Sequence, residues 1–311
     1  MRTLLLLCTV LLSHSGLAAE DFVAEKKDDR LIITRGGKPL AQYVFGDPQI
    51  IRPYFAQVRS LSGVQVTRRH PPVEGADPVD HAIMHPGIWL AFGDVNGQDF
   101  WRHKAAIRHE KFTQEPAMKN DALTFATVSK LMPAEGAALA EMSSVFTFSA
   151  STNGWLLAWD ATFTPLGDGF YFGDQEEMGL GVRVAAALSE TKGGIITSST
   201  GKKGAKETWG QIADWCDYSG EVDGKKCGIL LMASPDNFRQ SWFHNRDYGL
   251  MVANPFGKKA FTKASAPGRV PVEKGETLRL RYGVLVHDGF ESGPVTGLDE
   301  AWGHYKAEDK K

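Results

Sequence analysis

Short apolar runs separated by turn residues recur along the whole chain, and this pattern most restricts its possible folds. The runs at 31–34 and 40–45 are joined by a Gly-Gly turn, which is typical of a β-hairpin. Further strand-like runs lie at 64–67, 123–131, 142–149, 155–164, 182–186, 194–197, 227–233, 248–253 and 277–286. Only residues 297–307 predict a helix. The regular spacing and the 33 glycines predict an all-β fold, a large antiparallel β-sandwich.

The beginning of the chain predicts export. Residues 1–19 combine Arg2, an apolar run at 4–12 and small residues before position 20, which fits a signal peptide. We therefore expect a periplasmic or extracellular protein in which residues 20–311 form one β-sandwich domain. The apolar run is too short to cross a bilayer, and no other run approaches ~18 apolar residues, so we expect no membrane span.

The charge balance excludes one class of partner. The chain has 35 basic and 37 acidic residues and a net charge of -2, with no basic block. A nucleic-acid-binding surface needs a concentrated positive field. We therefore expect no nucleic-acid partner.

Two cysteines, Cys216 and Cys227, follow the predicted signal peptide. Between them lie two turn dipeptides that end in Gly220 and Gly224. In an exported chain an even pair predicts a disulfide, which across such a hairpin would stabilise the fold by roughly 3 kcal/mol. The alternative is a pair of unbonded buried thiols. Zinc is not expected, because the segment lacks further sulfur or histidine ligands.

The segment 242–257 is the strongest candidate site. In an extended strand side chains alternate between faces, so His244, Arg246 and Tyr248 would share one face. A titratable base, a cation and a hydroxyl on one face indicate a polar site rather than a core strand. Gly249 and the Asn254-Pro255 pair bracket the apolar run that follows, as turn residues do.

A second candidate surrounds two histidines four residues apart, His81 and His85. This spacing places both on one face of a helix or a strand. A paired catalytic or ligand role is one interpretation, since Asp80 is adjacent and Trp89 follows. Two hydrogen-bonded structural imidazoles are the other. The remaining histidines, among them His287 and His304, we assign to surface or capping positions.

Two more segments carry candidate groups. Glu177 precedes Arg183, which lies in an otherwise apolar run, and a buried arginine needs a carboxylate or a ligand as its partner. Glu177 would be that partner, or a general base with a raised pKa. Trp209 stands among aromatic and acidic residues near Gly210, which is compatible with a sugar-stacking wall or with a structural aromatic cluster.

Four blocks of the chain resemble a family of exported bacterial proteins, the PmoA-type "methane oxygenase" family. The blocks, which cover most of the chain after the leader, are 80–89, 93–101, 176–183 and 244–257. The chain keeps His81 and His85 but has Met84 and Pro86 where the family tends to have His and Arg. The family's name implies copper and oxygen chemistry. The resemblance implies a large β-sandwich similar to the galactose-mutarotase-like sandwiches of aldose epimerases and polysaccharide lyases, which handle sugars on a concave sheet.

These observations leave three functions open. The first is a carbohydrate-active enzyme of epimerase, lyase or glycoside-cleaving type with an acid–base pair. Its catalytic residues would be His244, Glu177 and His81. Its substrate-binding residues would be Arg246, Arg183, Tyr248, His85, Trp89, Trp209 and Asn254.

The second function is a metal-dependent enzyme. His81, His85 and His244 would bind a divalent metal and leave one position open for water or oxygen. The third is a non-catalytic protein that binds a glycan or another small molecule. We expect no firmly bound cofactor in the first and third cases.

Overall fold

The computed structural model describes residues 21–290 and 294–308, so the predicted signal peptide lies outside the described residues. Nineteen strands are present in the described part of the chain. They are β1 (Phe22–Lys26), β2 (Arg30–Arg35), β3 (Lys38–Val44), β4 (Tyr54–Ala56), β5 (Ile88–Phe92), β6 (Ala106–Lys119), β7 (Ala122–Met132), β8 (Ala140–Ser151), β9 (Gly154–Pro165), β10 (Gly169–Phe172), β11 (Met178–Arg183), β12 (Ile195–Ser198), β13 (Gln211–Ile212), β14 (Trp215–Val222), β15 (Lys225–Ala233), β16 (Trp242–Arg246), β17 (Leu250–Asn254), β18 (Val270–Glu273) and β19 (Leu278–His287).

Helices within the described residues are few and mostly short. They are α1 (Ala205–Thr208), α2 (Lys258–Phe261) and α3 (Pro294–Glu308), with single 3-10 turns at Ala186–Leu188 and Glu190–Lys192. The helix predicted at 297–307 corresponds to α3. Within the described ranges no helix has the length and apolar character needed to cross a membrane.

Two large sheets contain almost all the strands, and their pairings are antiparallel. One has the order β1-β2-β3-β4-β5-β11-β17-β16-β13, the other β12-β14-β15-β19-β9-β8-β7-β6, and β10 pairs with β18 alone. Apolar side chains alternate along the strands, and those that point inward form the core between the two sheets. Across this core the ring centroids of Phe55 and Trp159 are 5.7 Å apart, and those of Phe92 and Phe163 are 5.4 Å apart. The predicted antiparallel β-sandwich is therefore confirmed.

Helix α3 covers the outer face of the eight-stranded sheet. Leu298, Trp302 and Tyr305 pack against that sheet, and the indole of Trp215 donates a hydrogen bond of 3.2 Å to Asp299. This amphipathic contact explains why a lone helix forms here, since a helix of this length is marginal without packing.

Loops cover the outer face of the nine-stranded sheet and create a second apolar cluster there. Trp89 of β5 and Val252 of β17 point outward and pack beneath Trp101 from the following loop. Gly181 of β11 makes this possible, because a Cβ at that position would stand 2.6 Å from the Trp89 ring. The same face carries the polar side chains described below.

The predicted disulfide between Cys216 and Cys227 is wrong. Both cysteines are free and buried. They lie on the paired strands β14 and β15, but Cys216 is opposite Leu231 and Cys227 is opposite Gly220. This offset of four residues corresponds to about 13 Å along a strand. A disulfide requires Cα atoms within about 7 Å.

Candidate functional site

Strand β16 presents the polar face that its alternation predicts. His244 pairs in register with Val252 of the outer cluster, while Phe243 points into the main core. Asn245 also points inward, where its amide donates to the Thr208 hydroxyl at 2.9 Å. His244 and Arg246 therefore lie on the outer face, and Tyr248 joins them from the turn into β17.

These side chains line an open cavity of about 320 Å³. The loop before β11 contributes Gln175, Glu176 and Glu177, and the loop after β5 contributes Arg102. The remaining lining groups are His244, Arg246 and Tyr248. Its volume is at the lower end of the ~300–1,000 Å³ typical of small-molecule sites. The cavity gathers acidic, basic and titratable groups within the reach of one small ligand.

Glu176 holds the two strand residues together. One of its carboxylate oxygens, Oε2, lies 3.2 Å from His244 Nδ1 and 2.9 Å from Arg246 Nη2. The first distance is within hydrogen-bonding range, although the ring orientation leaves Nδ1 without a well-directed hydrogen bond. Such contacts are often loose in ligand-free sites and tighten with substrate.

The protonation states of this group follow from its surroundings. Burial lowers the pKa of His244 below its ordinary value, and the nearby Glu176 carboxylate only partly opposes this effect. The contact with His244 in turn lowers the pKa of Glu176. Burial raises the pKa of Tyr248, so its hydroxyl stays protonated at neutral pH. The site therefore offers a neutral imidazole, a carboxylate, a hydroxyl donor and a cation.

Glu177 lines the same cavity but does not have the predicted partner. Its carboxylate forms an ion pair with Arg102 rather than with Arg183. Both glutamates lie in the bend that precedes β11, and there Glu176 rather than Glu177 reaches His244. The carboxylate that contacts His244 is thus that of Glu176, one residue before the predicted Glu177.

Asn254 fixes the loop that carries both glutamates. Its side-chain amide donates to the carbonyl oxygens of Gln175 and Glu176 at 2.7 and 3.0 Å, and its own oxygen accepts from the N–H groups of Phe256 and Gly257. All of its hydrogen-bonding groups are thus used within the protein, and the side chain is fully buried. The predicted substrate-binding role of Asn254 is therefore wrong, and it is a positioning residue.

Arg183 pairs with Asp80 instead of with a ligand. The guanidinium donates two hydrogen bonds of 3.0 and 2.9 Å to the carboxylate. It also stacks on the Tyr248 ring, with its Cζ atom 4.5 Å from the ring centroid. Only 1% of the Arg183 side chain is exposed. Burial raises the pKa of Asp80, but hydrogen bonds from Arg183 and His81 outweigh that effect and lower it to about 2. Arg183 therefore packs against the Tyr248 ring and does not bind substrate directly, contrary to the prediction.

The two histidines of the 80–89 segment form a stack that ends in the buried cluster. The His81 ring lies 4.9 Å from His85, and His85 lies 5.0 Å from Trp89 with nearly parallel planes. Trp89 is completely buried, so it cannot stack on a sugar as predicted. His85 is also buried, which keeps its pKa well below the ordinary value, and unlike His244 it does not line the cavity, so it does not make the predicted substrate contact. His81 remains half-exposed, paired with Asp80 at 2.9 Å.

The predicted three-histidine metal site does not form. In the part of the chain that the structure describes, no group of three or more His, Cys, Asp or Glu side chains is arranged to hold a metal ion. His85 is used in the aromatic stack, His81 faces Asp80, and His244 faces Glu176. Each imidazole thus has a different partner.

An aromatic wall flanks His244 on the other side. Phe261 of α2 lies 6.1 Å from the His244 ring and 5.5 Å from Trp209, in each case between centroids. The Arg246 guanidinium lies 5.8 Å above the Trp209 ring. The structure thus brings Trp209 next to the polar cavity and adds Phe261, which the sequence reasoning missed.

The other residues that the sequence reasoning missed are mostly charged partners. Glu176 and Asp80 stand in segments that it discussed and Arg102 directly follows one, but nothing in the sequence pairs them with distant residues. A further miss is His287, which is buried rather than at the surface and lies 2.8 Å from buried Asp217. Its ring crosses the intervening strand at Gly228, where any Cβ would stand 2.7 Å from it.

Comparison with solved structures gives weak similarities. A TPR-domain containing protein from Parabacteroides distasonis has a TM-score of 0.39 and 9% identity, over 86% of this chain and 47% of that one. A galactose mutarotase related enzyme from Lactobacillus acidophilus has a TM-score of 0.35 and 8% identity, over 86% and 97%. A 4-alpha-glucanotransferase from Thermococcus litoralis has a TM-score of 0.31 and 8% identity, over 88% of this chain and 38% of that one.

The chain thus spans less than half the length of two of these proteins. At such TM-scores and identities, none of the three similarities supports a statement about function. No curated protein sequence matches the chain.

A family model does match, over residues 30–298, and its description is "Family of unknown function (DUF6807)". Nothing indicates a PmoA-type methane oxygenase, so the resemblance drawn from the four sequence blocks is wrong. Because the match covers most of the chain, this protein belongs to the family of unknown function DUF6807.

Proposed function

We propose that this protein is a carbohydrate-active enzyme that transfers a proton to or from its substrate in the cavity between β16 and the 175–177 loop. The observation that carries the proposal is the His244–Glu176–Arg246 group, which lines an open cavity together with Tyr248. The proposal includes export of the chain, as residues 1–19 predict.

His244 is the general base. When substrate binding tightens the contact so that the Nδ1 proton points at the Glu176 carboxylate, Nε2 is the nitrogen left to accept a substrate proton. Burial keeps the ring neutral before reaction, and the carboxylate stabilises the imidazolium that forms. Glu176, rather than the predicted Glu177, is thus the carboxylate beside His244, and it stabilises the imidazolium instead of acting as a base with a raised pKa.

The other lining groups suit a polyhydroxylated substrate. Arg246 and Arg102 are each about two-fifths exposed, so their remaining N–H groups are free to hold a carboxylate or a developing oxyanion. The protonated Tyr248 hydroxyl is a further donor. Phe261, whose ring lies 6.1 Å from that of His244, offers apolar surface to the C–H face of a sugar ring. Alternating charged and aromatic surfaces fit a sugar better than a purely apolar ligand.

The test is turnover by the wild-type protein and by His244→Ala across a panel of defined mono- and oligosaccharides, followed by NMR. We expect turnover of at least one sugar, and a loss of about 10²–10⁴-fold in the variant, as for removal of a general base. His304→Ala, which removes an exposed histidine of α3, is the matched control and should keep full activity. Undiminished turnover in His244→Ala would refute the assignment, and tight binding without any turnover would favour a glycan-binding protein.

A further inference from the structure

A second cavity adjoins the first and shares one residue with it. It has a volume of about 450 Å³, and Arg246 lines both cavities. Strand β16 therefore presents one guanidinium between two spaces, each of which is large enough for a small ligand by the usual range.

The position of Arg246 is fixed from both directions. On the side of the first cavity it is bonded to Glu176 at 2.9 Å, and on the side of the second it lies over the Trp209 ring at 5.8 Å. A guanidinium has five N–H donors, and one of them is used by Glu176. A ligand that crosses from one cavity to the other would meet the remaining donors on its way.

The second cavity has polar and aromatic groups that could bind a ligand but no acid–base pair like that of the first. Its rim carries the exposed side chains of Lys206 and Asp247, and Trp209 contributes half-buried aromatic surface. The carboxylate of Glu190, its other acid, accepts hydrogen bonds of 3.0 and 2.9 Å from the Ala205 N–H and so holds α1 in place. The lining includes no histidine.

We propose that the two cavities form one groove for a chain of linked sugars, with the reacting sugar beside His244 and a neighbouring sugar beside Trp209. This inference rests on the proposed function and adds to it that the substrate is an oligosaccharide or polysaccharide rather than a free monosaccharide. Arg246 contacts the ligand where the two sugars join. Lys206 and Asp247 bond to hydroxyl groups of the sugar in the second cavity.

The experiment is isothermal titration calorimetry with homologous glycan series of one to four units, namely glucans, xylans, mannans, galacturonans and alginates. For at least one series we expect affinity to rise about tenfold or more from one unit to two or three. In Trp209→Ala that gain should fall by about 3- to 10-fold, the range of an aromatic contact, while monosaccharide affinity changes by less than about twofold.

Two further variants keep the test independent of folding. Trp209→Phe retains an aromatic ring and should keep most of the gain with length. Phe238→Ala removes an exposed aromatic side chain that lines neither cavity, and should behave as wild type. Thermal melts of all variants show whether each is folded.

Affinity that does not change with glycan length, equal length dependence in Trp209→Ala and wild type, or no binding in any series would overturn the inference. These results are separable from failure of the proposed function, which is judged by turnover and by His244→Ala. Turnover of single sugars without any gain from longer ones would refute the groove and leave the acid–base site standing. Length-dependent binding without turnover would support the groove and refute the acid–base site.

Discussion

At the scale of single residues, Glu176 is the side chain that most favours protonation of His244. Its carboxylate is the main influence that raises the His244 pKa, against the larger lowering caused by burial. If neutral His244 is the base, kcat/KM should rise with pH through that lowered pKa and level off at a lower pH than it would for an imidazole with the ordinary histidine pKa of about 6.5.

Glu176→Gln should move the acidic limb of this profile to lower pH, because the variant removes the group that favours imidazolium. Glu177→Gln is the matched control, since Glu177 lines the same cavity but pairs with Arg102. A profile that stays in place in Glu176→Gln, or that moves equally in both variants, would contradict the role given to Glu176.

A second prediction at this scale concerns Asp80, the carboxylate partner of buried Arg183. Asp80→Asn leaves that guanidinium with neutral partners, and we expect the free energy of unfolding to fall by about 1–3 kcal/mol. This loss is smaller than the loss on breaking a fully buried ion pair, because Asp80 is partly exposed. Urea titration at neutral pH measures it. Asp168→Asn, at a fully exposed ion pair with Lys274, should change stability little.

The same pair predicts how stability depends on pH. The folded-state pKa of Asp80 is lowered to about 2 from 3.8, so its contribution is complete above about pH 4 and disappears as the pH falls toward 2. The difference between wild type and Asp80→Asn should shrink over that interval. If the stability difference between the two proteins stays constant between pH 4 and pH 2, the ion pair is not the source of that difference.

At the scale of elements, the 175–177 loop depends on one side chain from β17. Asn254→Asp keeps the acceptor for the N–H groups of Phe256 and Gly257 but replaces two donated bonds by repulsion from the Gln175 and Glu176 carbonyls. We expect a loss of roughly 2–4 kcal/mol in stability and reduced activity, because Glu176 is displaced from His244. Normal kcat in a folded Asn254→Asp protein would show that the loop is positioned by other contacts.

Helix α3 provides the contrasting case, since it packs on the sheet remote from the cavity. Leu298 is fully buried between α3 and the eight-stranded sheet, so Leu298→Ala should cost about 2–5 kcal/mol. Below its lowered melting temperature the variant should have wild-type kcat. A change in kcat without a change in stability would be inconsistent with a purely packing role.

At the scale of the whole molecule, packing rather than a covalent bridge holds the sandwich together. Burial raises the pKa of the Cys227 thiol to about 12 and that of Cys216 further, so both are unreactive in the folded protein. We expect a thiol reagent to label them only after denaturation, and a reductant to leave the melting temperature unchanged. A lower melting temperature in reductant would indicate a disulfide between them.

The strand pattern could be predicted from the sequence because alternation and turn residues are local properties. The hairpin of β2 and β3, helix α3 and the shared face of His244 and Arg246 all follow from spacing along the chain. The register between β14 and β15 does not, and the disulfide prediction failed because turn dipeptides alone cannot say which residues stand opposite each other.

The sequence by itself determined the antiparallel sandwich and placed His244 and Arg246 on one face, since both depend on period and turn chemistry within a few residues. Only the tertiary structure decided the pairings. It joined His244 to Glu176, Arg183 to Asp80 and Glu177 to Arg102, and it buried Trp89. The physical reason is that ion pairs and burial depend on which distant strands and loops meet, whereas alternation depends only on the chain's own geometry.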